Sequence, residues 1–310
     1  MNSAALGLEA LADRAFNRRN VLKGASVAAA GVAAGSLGLA GSANAATYTL
    51  TDADVFNFAL NLEYLEANYY LLGVTGQALP SSMLGGGPAV TAPATTIVPF
   101  KNPQLAYYFQ RIASDEMTHV AFIRSVLGVA AVPQPAIDYV QSFTALMRSA
   151  ALIGPTETFN PFADEIAFIT GAYIFEDVGV TAYGGGAAYL TNPDSISYAA
   201  SILAIEGYHA GAIRGWLASN GGDVTTNGIS ALRAALSGVA DDNGTAVEGN
   251  PFNIVNADLS GQSFRRSFNQ VLNIVYGGAS SNRGLFFPNG LSGTVTDSND
   301  TFNQASLAVI

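Results

Sequence analysis

The chain contains no cysteine. That excludes disulfides, zinc ribbons, iron–sulfur clusters and thiol chemistry, and leaves oxygen and imidazole as the means of holding a metal. Imidazole is itself scarce, with only His119 and His209 in 310 residues. Charge is sparse too: 12% of residues are charged against 49% hydrophobic. No basic patch follows residue 23, which argues against a nucleic-acid partner. The apolar content is rich in Gly and Ala rather than in long spanning runs, so a membrane protein with many spans is excluded. No internal repeat is present. The length suits one large domain, or one domain with an extension, and can bury a substantial core. The net charge of −10 gives an acidic surface that repels phosphate and attracts cations. Solubility accounts for most of it.

The first 45 residues read as an address. Asn17-Arg18-Arg19-Asn20-Val21-Leu22-Lys23 is followed by a weakly apolar Ala/Gly stretch over 24–41, then by Ala43-Asn44-Ala45, a small-x-small cleavage site. Together they fit a twin-arginine signal. The competing reading is an uncleaved anchor, which Ala and Gly disfavour because they contribute little transfer energy. The twin-arginine route exports proteins already folded, often with cofactor loaded. The expected partner is therefore the twin-arginine translocation machinery. The expected destination is the periplasm or another extracytoplasmic space, with no stable membrane span in the mature chain. Removing residues 1–45 leaves 9 basic and 21 acidic residues, a net charge of −12.

Four long helical segments follow. The first spans 52–72, with Thr51 as N-cap, Gly73 as stop, and Val55, Phe58, Ala59, Leu62 and Tyr69 at helical spacing. The others open with Asn102-Pro103, Asn160-Pro161 and Asn192-Pro193. Asn accepts from the orphan N–H groups of a first turn, and Pro suits the first helical position because it has no N–H to satisfy. Their ends are marked by Gly128, by Gly184-Gly185-Gly186 and by Asn220-Gly221-Gly222. Residues 74–101 read as a long surface loop. Residues 129–159, with a weaker helical run over 136–151, read as a long crossover. Beyond residue 222 the sequence predicts helices over 229–236 and 263–276, and an apolar anchor at Phe286-Phe287-Pro288. The expected fold is all-α: a four-helix bundle over 46–222 with one long crossover, and a helical and irregular extension over 223–310 packed on it.

Both histidines follow a glutamate by three residues, as Glu116-Met117-Thr118-His119 and Glu206-Gly207-Tyr208-His209. Residues three apart share a helix face, so each pair points a carboxylate and an imidazole the same way. The first and third helices add lone acids within apolar runs, Glu63 and Glu176. A single Glu-x-x-His usually marks an exposed polar face. Here that reading must hold twice, use up every histidine and coincide with acids at matching depth on two other helices. Four carboxylates in an apolar core cost too much unless neutralised, and two divalent cations neutralise them. One Glu from each of two helices, with Glu-x-x-His from each of the others, is the ligand pattern of di-iron and di-manganese carboxylate bundles.

These residues resemble the ferritin-like superfamily over roughly residues 50–220. Glu63-Tyr64-Leu65-Glu66-Ala67-Asn68-Tyr69-Tyr70 is similar to the first-helix motif of bacterioferritin, and Asp115-Glu116-Met117-Thr118-His119 to its second. Val271-Leu272-Asn273-Ile274-Val275-Tyr276-Gly277 and Phe286-Phe287-Pro288-Asn289-Gly290 resemble the exported, desiccation-related branch. The resemblance implies that Glu63 and His119 bind one metal, Glu176 and His209 the other, and that Glu116 and Glu206 bridge them. It makes Tyr70 a hydrogen-bonding or radical site beside the metals, with a buried core tyrosine as the alternative. Glu66, three residues from Glu63 on the same face, is the alternative ligand or an outer acid. Asp115 and Asp177 adjoin ligands but point about 100° away, as groups behind the ligands or solvated acids.

The long loop, the crossover and the extension would obstruct cage packing, so iron storage does not carry over. A homodimer is compatible with the sequence. Oxygen donors with one imidazole per metal suit iron, with manganese as the alternative and zinc not excluded. Three activities follow: a di-iron oxidase or ferroxidase that handles iron and peroxide under stress, a manganese-type catalase, or a non-enzymatic envelope protein whose metals staple the bundle against drying.

Overall fold

The computed structural model describes residues 45–240, 242–248 and 252–304. The export signal expected over residues 1–45 lies, up to Asn44, outside the described residues. The element order is β1 (Thr47–Leu50), α1 (Asp52–Thr75), α2 (Pro103–Leu127), α3 (Gln141–Ser149), α4 (Glu165–Gly186), α5 (Pro193–Ser219), α6 (Asp223–Ser237), α7 (Phe268–Tyr276) and β2 (Thr301–Gln304). The two strands pair in parallel, Thr47 opposite Thr301 through Leu50 opposite Gln304. Among the described residues, no helix is long and apolar enough to cross a membrane.

The bundle is built from α1, α2, α4 and α5. α1 starts on a capping box, in which the Thr51 hydroxyl accepts from the Asp54 N–H and the Asp54 carboxylate accepts from the Thr51 N–H. α2 and α5 start as the Asn-Pro pairs predict, with Asn102 and Asn192 capping the first turn. The start of α4 lies beside the start of α2, where Glu165 Oε2 accepts from the N–H groups of Lys101 and Asn102 at 2.8 and 3.0 Å. The crossover therefore returns the chain along the whole bundle, as one long connection requires.

α1 and α4 are enclosed nearly all round, whereas α2 and α5 each keep one face in solvent. An enclosed helix has no polar face, and the polar residues of α1 each have a task. Asn57 bonds Ala130 O and Val132 N, Asn61 bonds Ser292 through both its amide groups, and Asn68 bonds Leu79 N and the Gln134 side chain. These three amides stitch the first loop, the crossover and the C-terminal segment onto the helix. Tyr69 sits in a knot of rings with Phe143, Phe162, Phe168 and Phe175. Phe286 stacks edge-on against Phe143 and Phe175 and, with fully enclosed Phe287, forms the expected apolar anchor.

Several boundaries differ from the sequence reading. α1 runs past Gly73 and ends at Gly76, which takes the left-handed conformation with φ 74°. Gly73 is a contact residue instead: a Cβ there would lie 2.2 Å from the Phe168 ring. Asn160 closes its own turn, accepting from the Phe162 N–H, and α4 begins only at Glu165, capped by Asp164. α3 is shorter than 136–151 because Ile137, Asp138 and Tyr139 are held extended by backbone bonds to Thr91 and Phe286. α6 is longer than 229–236, and α7 starts only at Phe268, capped by Ser267 after the Arg266 N–H has bonded Thr181 O.

Behind α4 lies a buried ionic network. Asp177 pairs with Arg214 at 2.6 Å and Arg233 at 2.9 Å, and Asp242 pairs with Arg233 at 2.7 Å and Arg266 at 2.8 Å. Arg214 also donates to the carbonyls of Asn243, Gly244 and Asn253. Asp177 is thus neither solvated nor behind a metal ligand; it fastens α5, α6 and the following loop to α4.

Gly73→Ala should destabilise the protein by about 1–3 kcal/mol, because the added methyl meets a rigid, enclosed ring. The check is the urea midpoint at constant m-value. A midpoint equal to wild type would show that Phe168 can yield.

Candidate metal centre

The bundle brings all six predicted site residues to one place. Glu63 comes from α1, Glu116 and His119 from α2, Glu176 from α4, and Glu206 and His209 from α5. The four glutamates are at most 1% exposed, His119 is 8% and His209 4%. His119 Nδ1 lies 3.2 Å from Glu63, 3.4 Å from Glu116 and 3.6 Å from Glu206. His209 Nδ1 lies 3.0 Å from Glu116 and 3.4 Å from Glu176. The donor atoms form two groups, each within 4.8 Å: Glu63, Glu116, His119 and Glu206 in one, and Glu116, Glu176, Glu206 and His209 in the other. Glu116 and Glu206 belong to both.

The donor atoms converge without satisfying one another. Glu63 Oε2, Glu176 Oε2, both oxygens of Glu116 and Glu206, and Nδ1 of both histidines have no hydrogen-bond partner despite full burial. The imidazoles approach the carboxylates closely but aim no proton along any of these contacts. So many orphaned polar atoms would be costly in an apolar core. A cation in each group supplies what they lack, and oxygen with one imidazole per group suits a first-row divalent metal. The residues fit two metal ions.

Two tyrosines hold the outer oxygens. Tyr70 of α1 donates to Glu176 Oε1, and Tyr183 of α4 donates to Glu63 Oε1. The arrangement is reciprocal, since each tyrosine sits seven residues after the glutamate of its own helix and serves the glutamate of the other. Tyr183 is absent from the sequence reading, yet the spacing Glu176 to Tyr183 repeats that of Glu63 to Tyr70 and was the available signal.

Glu66 is buried too, but its carboxyl lies outside both donor groups. The structure places Glu63, not Glu66, among the converging donors. Glu66 instead flanks Glu206 across Gly179, where a Cβ would stand 2.3 Å from Glu206 Oε2 and 3.3 Å from Glu66 Oε1. Gly179 is the second residue missing from the sequence reading; its lack of a side chain makes room for Glu206. Asp115 lies behind His209, with Oδ2 3.3 Å from Nε2, and pairs with Arg111 at 2.7 Å. At the matching place on α5, before Glu206, stands Ile205, so the two histidines are not equivalently supported.

The charges of the metal-free site follow from burial and proximity. Burial, then the neighbouring carboxylates, pushes Glu206 and Glu66 well above the ordinary carboxylate range. Burial raises Glu63 to about 7 against the pull of His119. It acts upward on Glu116 too, but the two flanking imidazoles outweigh it and hold Glu116 below the ordinary range. Burial acts to lower the histidines, and the glutamates more than reverse it, taking both to about 12. In the metal-free site the positive charge of the imidazoles offsets part of the carboxylates' charge.

Fold and site together define a helical bundle with a buried carboxylate-and-histidine pocket that could hold metal. A family described as the ferritin-like domain matches residues 51–219, more than half of the chain, and the chain belongs to that family. Among curated proteins it is similar to the ferritin-like catalase Nec2 of Nesocodon mauritianus, 27% identical over 268 residues, which cover 79% of this chain and 84% of that protein. It is also similar to the desiccation-related protein PCC13-62 of Craterostigma plantagineum, 30% identical over 208 residues, 62% of this chain and 64% of that one. No solved structure gives a significant match.

The metal-free protein should lose stability as pH rises from 6 to 9. Folded His119 and His209 keep protons up to about 12 that the unfolded chain releases near 6.5, and Glu63 behaves likewise between 4.5 and about 7. The folded state binds more protons across that window, so stability falls with pH. Metal affinity should rise over the same range, because binding displaces those protons. Thermal melts of the chelated protein and calorimetry in buffers of differing ionisation enthalpy test both signs; a flat apo profile contradicts the assignment. Separately, Gly179→Ala should weaken metal binding about tenfold or more by displacing Glu206, read by competition with a chromogenic chelator.

Proposed function

We propose that the chain is an exported dinuclear metalloprotein that handles peroxide, with two iron or two manganese ions held by Glu63, Glu116, His119, Glu176, Glu206 and His209. The observation that carries this reading is the set of unpartnered carboxylate oxygens and imidazole nitrogens converging from four helices. On this reading Glu63 and His119 would hold one ion and Glu176 and His209 the other, with Glu116 and Glu206 available to both. When bound, such a pair supplies redox equivalents to peroxide or dioxygen. The similarity to a protein named a catalase supports peroxide as the reactant, and disproportionation of two peroxides to two waters and dioxygen needs no further reductant.

The chain's own residues supply the rest. Enclosure excludes bulk water, which strengthens every charge interaction inside. Tyr70 and Tyr183 fix the outer oxygens of Glu176 and Glu63, so that the inner ones face the centre. Glu66 holds a proton beside Glu206, where an acid can give one to the reacting oxygen or take it back. Ferrous oxidation coupled to peroxide is the same site's iron chemistry. The twin-arginine reading of residues 17–23 supports export with metal already in place.

A second reading, a bundle stapled by metal and useful in drying, is favoured by the similarity to a desiccation-related protein. Turnover separates the two. Protein exported by its native route should carry about two metal ions per chain by elemental analysis, and should evolve oxygen from peroxide or consume peroxide with ferrous ion. Glu116→Ala and His209→Ala should each lose most of the metal and all turnover. Full metal in both variants overturns the ligand assignment; full metal with no turnover in the wild type leaves the structural reading.

A further inference from the structure

The outer face of the bundle has an unusual composition. α5 carries no exposed charged residue after Asp194, through its end at Ser219. Its solvent-facing side chains are Ile196, Tyr198, Ala200, Ala204, Tyr208 and Ala212, with serines between, and Tyr208 is 75% exposed. α2 runs antiparallel beside it: Phe122 meets Tyr198 edge-on, and the Tyr108 hydroxyl donates to His209 O. The exposed face of α2 adds Tyr107, 72% exposed, and one charge, Arg111, already paired with Asp115. Surface helices ordinarily carry their charged residues on the solvent side.

We infer that this α2/α5 face is the interface of a homodimer, with α5 packed against α5 of a second copy about a twofold axis. Two features of the face select a second copy. The chain is strongly acidic, with a net charge of −10, so copies repel one another over most approaches. The α2/α5 face is where that repulsion is absent, and loss of charge with retained tyrosines is the compositional mark of an interface centre. Size agrees as well. Helices of this length run about 40 Å, and two side by side are about 20 Å wide. That gives about 800 Å² per copy, the area a stable pair buries on each partner. Gly207, Gly211 and Gly215 have nothing within 4 Å of a Cβ position, so the α5 backbone can be approached closely along that side. The opposite side of the bundle is already covered by the crossover, α6, α7 and the C-terminal segment.

The test does not depend on the metal assignment. Sedimentation velocity of the full mature protein, with and without chelator, should give twice the monomer mass at micromolar concentration. Ala204→Glu and Ala212→Glu each place a carboxylate in the proposed α5 contact and should weaken self-association about tenfold or more, with unchanged circular dichroism. Val224→Glu, on an exposed position of α6, should leave the dimer intact. A monomer at every concentration overturns the proposal, as does a dimer indifferent to both α5 substitutions. A monomer that cosediments with phosphatidylcholine or phosphatidylglycerol vesicles overturns it too, and assigns the face to a membrane surface.

Discussion

Four glutamates share an enclosed space with two imidazoles and turn unpartnered oxygens toward its centre, and this is the constraint around which the protein is arranged. Carboxylates of that number repel one another and are poorly solvated by an apolar bundle. Their positions are nevertheless well defined, because each outer oxygen that a tyrosine can reach is bonded and each inner one is left facing the centre. The inner surface is a negative cavity with built-in directions. Its negative charge raises the proton affinity of both imidazoles, and a bound cation would compete with those protons. Local electrostatics and the integrity of the bundle are therefore one problem.

The site has an approximate twofold internal logic that is broken in a few places. The Glu63–Tyr70 unit of α1 and the Glu176–Tyr183 unit of α4 exchange hydrogen bonds, and the two Glu-x-x-His units of α2 and α5 face each other across the centre. Asp115 behind His209 has Ile205 as its counterpart, and Glu66 follows Glu63 where Gly179 follows Glu176. The two donor groups thus have different surroundings. Glu66 and Gly179 are complementary: the missing side chain on α4 makes the room in which Glu206 sits beside Glu66.

Much of this was legible in the residues alone, for identifiable reasons. With only two histidines, both in Glu-x-x-His, few alternative donor sets existed, and lone acids in apolar runs stood out. Asn-Pro at 102 and 192 carried a local signal that tertiary structure did not override. Asn160-Pro161 carried the same signal and failed, because Asn160 was spent on closing a separate turn. Gly73 looked like a helix stop and is a packing contact; a one-dimensional reading cannot tell a glycine that ends a helix from one that admits a ring from another helix. Asp177 looked like a neighbour of the site because it adjoins Glu176, yet it faces Arg214 of α5 and Arg233 of α6. Those partners lie 37 and 56 residues away, beyond any local pattern.

The parallel pairing of Thr47–Leu50 with Thr301–Gln304 makes the whole bundle the connection between two adjacent strands. Thr47 meets a partner 254 positions later, and Ala46 donates to Asp300 across the same interval. Contacts of such long range form late, since the ends of a large loop must first be brought together. The last tie therefore closes only after everything between residues 50 and 301 is in place. The two strands act as a clasp: neither can leave its place without unpairing the other, although the whole bundle lies between them in sequence.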